Sequence, residues 1–150
     1  MEVRPIRDEV MLTVPSHPKY LSLVRAVTVM MGAQNKLDKT VIEHMEHAVD
    51  EACSNVIKHA YRGDPGKQIG LTLRISPEAF EVIIEDSGLK AEVARIKGRG
   101  LDDIRPGGLG VHLIKRACDV VEFDEKKTQG NRLRLVKYLK AKDGDKDKRS

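Results

Sequence analysis

The sequence predicts an α+β two-layer sandwich, with helices on one face of a mostly antiparallel mixed sheet. Three observations predict it. Segments in which apolar and polar residues alternate stand in adjacent pairs, at 71–84 and 120–139, as hairpins do. Longer segments with apolar residues at three- and four-residue steps stand before and between these pairs. A doubly wound sheet needs strand and helix in strict alternation, and the order strand, helix, long helix, hairpin, glycine-rich loop, helix, hairpin lacks it.

Val10, Leu12 and Val14 alternate with Met11 and Thr13 as a first strand that Pro15 closes. A helix comes next, with Ser16 as its expected cap, Pro18 in its first turn, and an apolar stripe through Tyr20, Leu21, Val24, Val27 and Met31 that leaves Arg25 pointing away from the core. The strongest helical signal begins near Asp38. From Val41 through Met45, Val49, Ala52, Val56 and Ile57 to Ala60 the apolar residues hold a 3.6-residue period, and Arg62-Gly63-Asp64-Pro65-Gly66 ends it.

Leu71, Leu73 and Ile75, then Phe80, Val82 and Ile84, make a hairpin about a Ser76-Pro77-Glu78 turn. Between Ser87 and Gly110 periodicity fades, while glycines accumulate beside Lys90, Arg95, Lys97, Arg99 and Arg105. A loop of this length inside a compact domain is expected to be a basic binding loop or lid. Leu109 to Cys118 reads as a helix that starts directly on glycines. Val120–Phe123 and Leu133–Leu139 pair as the last hairpin.

At 150 residues the chain has room for one core, expected over 1–140, with a charged tail at 141–150 read as disordered. Lys and Arg number 27 against 23 Asp and Glu, a bias too slight and too interleaved with acids for a nucleic-acid face. Aromatic residues make up 3% and Trp is absent, so stacking platforms for bases are lacking as well. The two cysteines, Cys53 and Cys118, sit apart in apolar helical patterns and read as buried, reduced thiols. No apolar run reaches the roughly 18 residues of a membrane span, so a cytoplasmic protein is expected.

Three constellations carry chemistry. Glu51 and Asn55 lie four apart on the long helix, one turn above each other at one edge of its apolar stripe. A carboxylate there can take a proton from a hydroxyl, and an amide oxygen can ligate Mg²⁺ without adding charge. Glu85-Asp86-Ser87-Gly88 places a carboxylate at the end of an apolar strand beside a glycine. Gly107-Gly108-Leu109-Gly110 opens a helix, so backbone N–H groups and the positive helix end are offered to an anion. It is neither a Walker A loop nor a dinucleotide-binding fingerprint. Each alone is an ordinary helix surface, turn or hinge; their order along one chain is what suggests a nucleotide site.

That ordered set, Asp50-Glu51-Ala52-Cys53-Ser54-Asn55 with His59-Ala60-Tyr61, then Glu85-Asp86-Ser87-Gly88, then Gly107-Gly108-Leu109-Gly110-Val111-His112, resembles the N, G1 and G2 boxes of the gyrase, chaperone, histidine-kinase and mismatch-repair ATPase superfamily. More narrowly it is similar to the bacterial anti-sigma factor serine-protein kinases. The resemblance implies a Bergerat-type ATP-binding fold. It implies Glu51 as general base, Asn55 as Mg²⁺ ligand, and Asp86 as acceptor of the adenine amino group, with Gly88 giving the base room. Gly108 and Gly110, with the N–H groups of Val111 and His112, would hold phosphates, and Lys115 one turn on would neutralise their charge. Asn131 stands beside Gly130 where the family often has threonine and would still hydrogen-bond near adenine as part of the nucleotide site, and Lys90 stands where the family has a second glycine. Arg25 matches a position that contacts protein partners.

The same resemblance implies an ATP- and Mg²⁺-dependent serine-protein kinase and anti-sigma factor. Such a protein would phosphorylate an anti-anti-sigma (antagonist) protein, sequester a sigma factor by partner switching, and form a homodimer. The alternative is a non-catalytic ATP-binding anti-sigma or adaptor module, against which the retention of both Glu51 and Asn55 argues. His44 and His47 read as solvated and belong to no phosphoacceptor hairpin, so an autophosphorylating sensor kinase is not expected.

Overall fold

In the computed structural model, residues 8–91 and 108–140 are described. The expected basic loop falls largely on 92–107 and the expected tail on 141–150, both outside the described residues. Strands β1 (Asp8–Pro15), β2 (Gln68–Ile75), β3 (Ala79–Asp86), β4 (Val120–Phe123) and β5 (Asn131–Tyr138) form one five-stranded sheet in the order β1-β2-β3-β5-β4. Every pairing among the described strands is antiparallel.

The two-residue period sorts the strands' side chains. Ile69, Leu71, Leu73 and Ile75 of β2, Phe80, Val82 and Ile84 of β3, and Leu133 and Leu135 of β5 are buried towards the helices. Full burial of a side chain such as Phe80 or Leu73 contributes about 1.5–3 kcal/mol. The opposite face carries no helix among the described residues and is closed by charge instead. Glu9, Arg74, Glu81, Arg134 and Glu122, one from each strand, form an unbroken ladder of ion pairs across the sheet. Ile83 and Val136 are buried on this face, flanked in the strand register by the arginine stems and their partners.

Over the core face lie α1 (Leu21–Gln34), α2 (Lys39–Asn55) and α3 (Gly108–Ala117). Val24, Thr28 and Met31 of α1, Met45, Ala48, Val49, Ala52 and Cys53 of α2, and Ile114 and Ala117 of α3 meet the sheet and one another. Thr28 is tolerated there because its Oγ1 donates to the Val24 carbonyl at 2.8 Å.

Two helix ends differ from expectation. Ser16 does not cap the first helix. His17 does so, its Nδ1 accepting the Lys19 N–H at 3.1 Å ahead of a single 3₁₀ turn, Pro18–Tyr20. Ser16 turns inward and donates its Oγ to the Asp64 carbonyl at 2.6 Å, locking the loop before β2. The long helix does not run regularly to Ala60. It widens into one π-helical turn over Val56–Ala60, closed by Tyr61 N–H donating to the Val56 carbonyl at 2.9 Å. The apolar period continues through both forms, which is why sequence periodicity reads them as one helix; single π turns occur frequently at functional sites.

Candidate functional site

The site is built on the paired ends of β3 and β5. Asp86 and Asn131 stand opposite each other in the last register position, and each is 7% exposed. The Asn131 Nδ2 donates to Asp86 Oδ1 at 3.0 Å and Oδ2 at 3.2 Å, and to the Leu89 carbonyl at 2.8 Å. Its Oδ1 accepts the Ala91 N–H at 2.6 Å. Gly88 N–H adds a further bond to Asp86 Oδ1 at 2.9 Å. Burial pushes the Asp86 carboxyl above its ordinary range, opposed by hydrogen bonds from Gly88 and Asn131 and by the field of Lys127. The outcome is a buried carboxylate held in one orientation.

The π turn that follows α2 packs against the Ser87–Leu89 segment just beyond this carboxylate. Leu89 N–H donates to the Ala60 carbonyl at 2.8 Å, and Tyr61 Oη accepts Ser87 N–H at 2.9 Å while donating to the Gln68 carbonyl at 2.5 Å. Gly88 lies so close to Ala60 that a Cβ would overlap its carbonyl oxygen. The missing side chain at Gly88 is thus required by packing against the turn. Gly130, at φ +68°, would likewise drive a Cβ into the Asp86 carbonyl. Lys90, at the expected second-glycine position, donates its Nζ to the Lys127 carbonyl.

Glu51 and Asn55 occupy the last turns of α2 just before the π turn, both partly buried. Asp50, their neighbour, faces α1, where Arg25 Nη1 meets its Oδ1 at 2.7 Å. One residue on, the helix has turned by about 100°. Glu51 and Asn55 therefore lie off the face on which Asp50 meets α1. Asn55 Oδ1 is buried without a hydrogen-bond partner among the described residues. A buried amide oxygen left unpaired costs about 1–3 kcal/mol, and a hard cation taking oxygen ligands is a fitting occupant.

The expected phosphate-binding residues fall at the start of α3. Gly108, Gly110 and Val111 form its first turn, where N–H groups have no helical partner, with His112 next and partly buried and Lys115 exposed. Gly107 lies outside the described residues. Arg25 does not simply point into solvent: it is half-exposed and tied to Asp50. His44 is partly buried with its Nδ1 unpartnered among the described residues, whereas His47 is exposed as expected.

Sequence reasoning missed the contacts of Asp50 and Tyr61 and the clamp made by Asn131 on Asp86. Glycine at 130 immediately before a polar residue at a strand start was the available signal for the clamp. Asp50 and Tyr61 fall within the motif that carries the resemblance, but their contacts are not legible there, since their partners are distant in the chain.

A sheet with helices on one face, a buried carboxylate at the end of a central strand, a Glu–Asn pair one turn apart on the long helix and a glycine-led helix start are the features of a nucleotide-binding class. The histidine kinase-like ATPase domain matches this chain over residues 14–137, and the chain belongs to that family. Within it the chain is 32% identical to the serine-protein kinase RsbW of Halalkalibacterium halodurans over 148 residues, covering 92% of this chain and 88% of the relative. It is 26% identical to the RsbW of Bacillus subtilis, covering 93% of this chain and 91% of the relative. The structure containing the RsbU and RsbW domains of Rv1364c from Mycobacterium tuberculosis superposes with a TM-score of 0.63 at 15% identity, over 89% of this chain and 33% of that one, a likeness of fold.

Proposed function

We propose that the chain is an ATP- and Mg²⁺-dependent serine-protein kinase and anti-sigma factor, acting on an antagonist protein and sequestering a sigma factor in alternation. The observation that carries this reading is the unpartnered, buried Asn55 Oδ1 one helical turn from Glu51. The RsbW relatives, named serine-protein kinases, support it over nearly the whole chain.

When bound, Mg-ATP supplies the phosphoryl group and the charge neutralisation that loosens it. Asp86 receives the adenine amino group on its fixed carboxylate. Asn55 holds the metal through Oδ1. First-turn N–H groups of α3, from Gly108 to Val111, hold the phosphates at the positive helix end, with His112 and Lys115 next along the helix. Glu51 takes the proton of the incoming serine hydroxyl as its oxygen bonds the γ-phosphorus and the bond to the β-phosphate oxygen breaks, releasing ADP. Arg25, beside α2, meets the protein partners. Phosphorylation adds charge to the antagonist and removes its affinity, which frees this chain for the sigma factor. A homodimer in the cytoplasm is the setting we assign.

The test is transfer of γ-labelled phosphate from Mg-ATP to a panel of antagonist proteins from the same genome, wild type against Glu51→Gln. Serine-bound label that vanishes in Glu51→Gln, with ATP binding retained, is the expected result. ATP binding without transfer by wild type to a true partner would favour the non-catalytic module instead.

A further inference from the structure

We infer that Tyr61 is a positioning residue that couples the nucleotide end of the site to its metal end: its hydroxyl stands where the β2–β3 ladder would continue, and ties the segment after Asp86 to the helix end that carries Asn55. The inference rests on the nucleotide and metal reading above and goes beyond it.

The strand register locates the hydroxyl. β2 and β3 pair antiparallel only as far as Gly70 opposite Glu85, although β2 stays paired to β1 through Gln68. Carried on, the same register sets Ile69 opposite Asp86 and Gln68 opposite Ser87. Opposite residues of an antiparallel ladder can join N–H to C=O directly. Here Ser87 N–H goes to Tyr61 Oη at 2.9 Å, and the same hydroxyl donates to the Gln68 carbonyl at 2.5 Å. One side-chain oxygen thus replaces a rung of the sheet and holds the two strands apart at that point.

The task selects the residue type. It needs one atom that both donates and accepts, delivered on a long and rigid stem. Phenylalanine keeps the ring and loses both bonds, while the hydroxyls of serine and threonine sit too close to the backbone. Tyr61 is 6% exposed and part of the core, so close packing rather than solvent sets where its oxygen lies. Without that oxygen a buried N–H and a carbonyl are left unpaired or close on each other, and the end of β3 moves towards β2.

The backbone of the same residue faces the other way. Tyr61 N–H closes the π turn on the Val56 carbonyl at 2.9 Å, and the neighbouring Ala60 carbonyl accepts Leu89 N–H at 2.8 Å. Ala60 and Tyr61 therefore grip Ser87 and Leu89 at two points, with Gly88 between them against Ala60. Asn55 is the last residue of α2, immediately before the π turn. A base seated beside Asp86 steadies Ser87–Leu89, and through these bonds the backbone that presents Asn55. A metal held by Asn55 returns the same effect, since coupling between two sites is reciprocal.

The experiment is calorimetric binding of ATP to the full chain, with Mg²⁺ and with the metal chelated, for wild type and Tyr61→Phe at a temperature where both are folded. Wild-type affinity should drop tenfold or more on chelation, and in Tyr61→Phe that metal advantage should shrink below about threefold, through weaker Mg-ATP binding. Equal losses with and without Mg²⁺, leaving the advantage intact, would make Tyr61 a structural staple and overturn the inference while the nucleotide reading stood. Wild type that binds no ATP, or binds it regardless of Mg²⁺, would overturn that reading and the inference with it. The wild-type chain gives a second measurement if the phenylalanine variant does not fold. Mg-ATP should slow hydrogen exchange at the Tyr61, Ser87 and Leu89 amides by one common factor, and protection of Ser87 and Leu89 without Tyr61 would overturn the coupling.

Discussion

Arg25 on α1 reaches across to Asp50 on α2, Nη1 to Oδ1 at 2.7 Å, so the arginine assigned to partners is anchored one residue before the proposed base Glu51. The side chains are 40% and 33% exposed, and water and salt screen most of their attraction. A double-mutant cycle with Arg25→Ala and Asp50→Ala should give a coupling of about 0.2–1 kcal/mol in urea unfolding, shrinking at high salt. Partner binding should respond more strongly: Asp50→Ala leaves the guanidinium present but unheld, and partner affinity should fall less than in Arg25→Ala.

Asn55 is the metal contact in the proposed site, and its removal should separate metal-dependent from metal-independent affinity. Asn55→Ala is expected to fold at least as well as wild type, since the unpaired oxygen is deleted. Its ATP affinity should become insensitive to EDTA, whereas wild-type affinity should drop tenfold or more, about 1.4 kcal/mol, when Mg²⁺ is chelated. Equilibrium titrations with and without chelator read both.

The glycines divide into tight and open sites. Gly88→Ala and Gly130→Ala each place a methyl against rigid backbone, at Ala60 and Asp86 respectively, and should destabilise by more than about 2 kcal/mol. Gly63→Ala, at φ +81° with open space around it, should cost only about 1 kcal/mol. Gly70→Ala, whose added carbon would sit 4.0 Å from the Glu85 carbonyl, is the tolerated control. Thermal unfolding ranks the four.

Two carboxylates give stability opposite pH dependences. Burial pulls the Glu81 pKa up, but hydrogen bonds and charge from Arg134 and Arg74 outweigh it and hold the pKa below the ordinary 4.5. A lowered folded pKa gives stability that is present above the unfolded value and lost as pH falls through the folded one. Glu81→Gln should therefore cost about 1 kcal/mol at pH 7, after screening of half-exposed arginines, and nothing once pH is well below 4.5. Asp86 is shifted the other way by burial, so its ionisation weakens the nucleotide-free fold as pH rises past the ordinary 3.8. Asp86→Asn should equal wild type at low pH, exceed it in stability at neutral pH, and lose ATP binding. Urea titrations across a range of about pH 3–8 check both signs.

Burial pushes the thiols of Cys53 and Cys118 up to about 12, so neither supplies thiolate at neutral pH in the folded chain. Thiol-directed reagents should label the native protein no faster than it unfolds. In denaturant both should react at the rate of a free cysteine, which mass spectrometry distinguishes.

Strand alternation at Leu71–Ile75 and Phe80–Ile84 made the central hairpin legible directly, because one buried face forces a two-residue period. The helices were legible for the same reason. The change of helix type after Asn55 was not. A π turn keeps its apolar residues inward while shifting its carbonyls, and the Ala60 carbonyl at its end accepts the N–H of Leu89, a partner distant in the chain. Glu51, Asn55, Asp86 and the glycine-led start of α3 were legible as a set because their chemistry is carried by residue type and local spacing. The Asn131 clamp and the Arg25–Asp50 pair were not, since each joins residues 25 or more positions apart.

The Asp86–Asn131 contact joins residues 45 positions apart, and Asn131 opens the last strand of the sheet in chain order. Local hairpins at β2–β3 and β4–β5 can close early, but the β3–β5 seam must wait for the chain between them to be looped out. The nucleotide pocket straddles that late seam. During synthesis on the ribosome, a nascent chain lacking β5 would hold Glu51, Asn55 and Asp86 yet have no assembled pocket, so nucleotide capture is delayed until the whole sheet has formed.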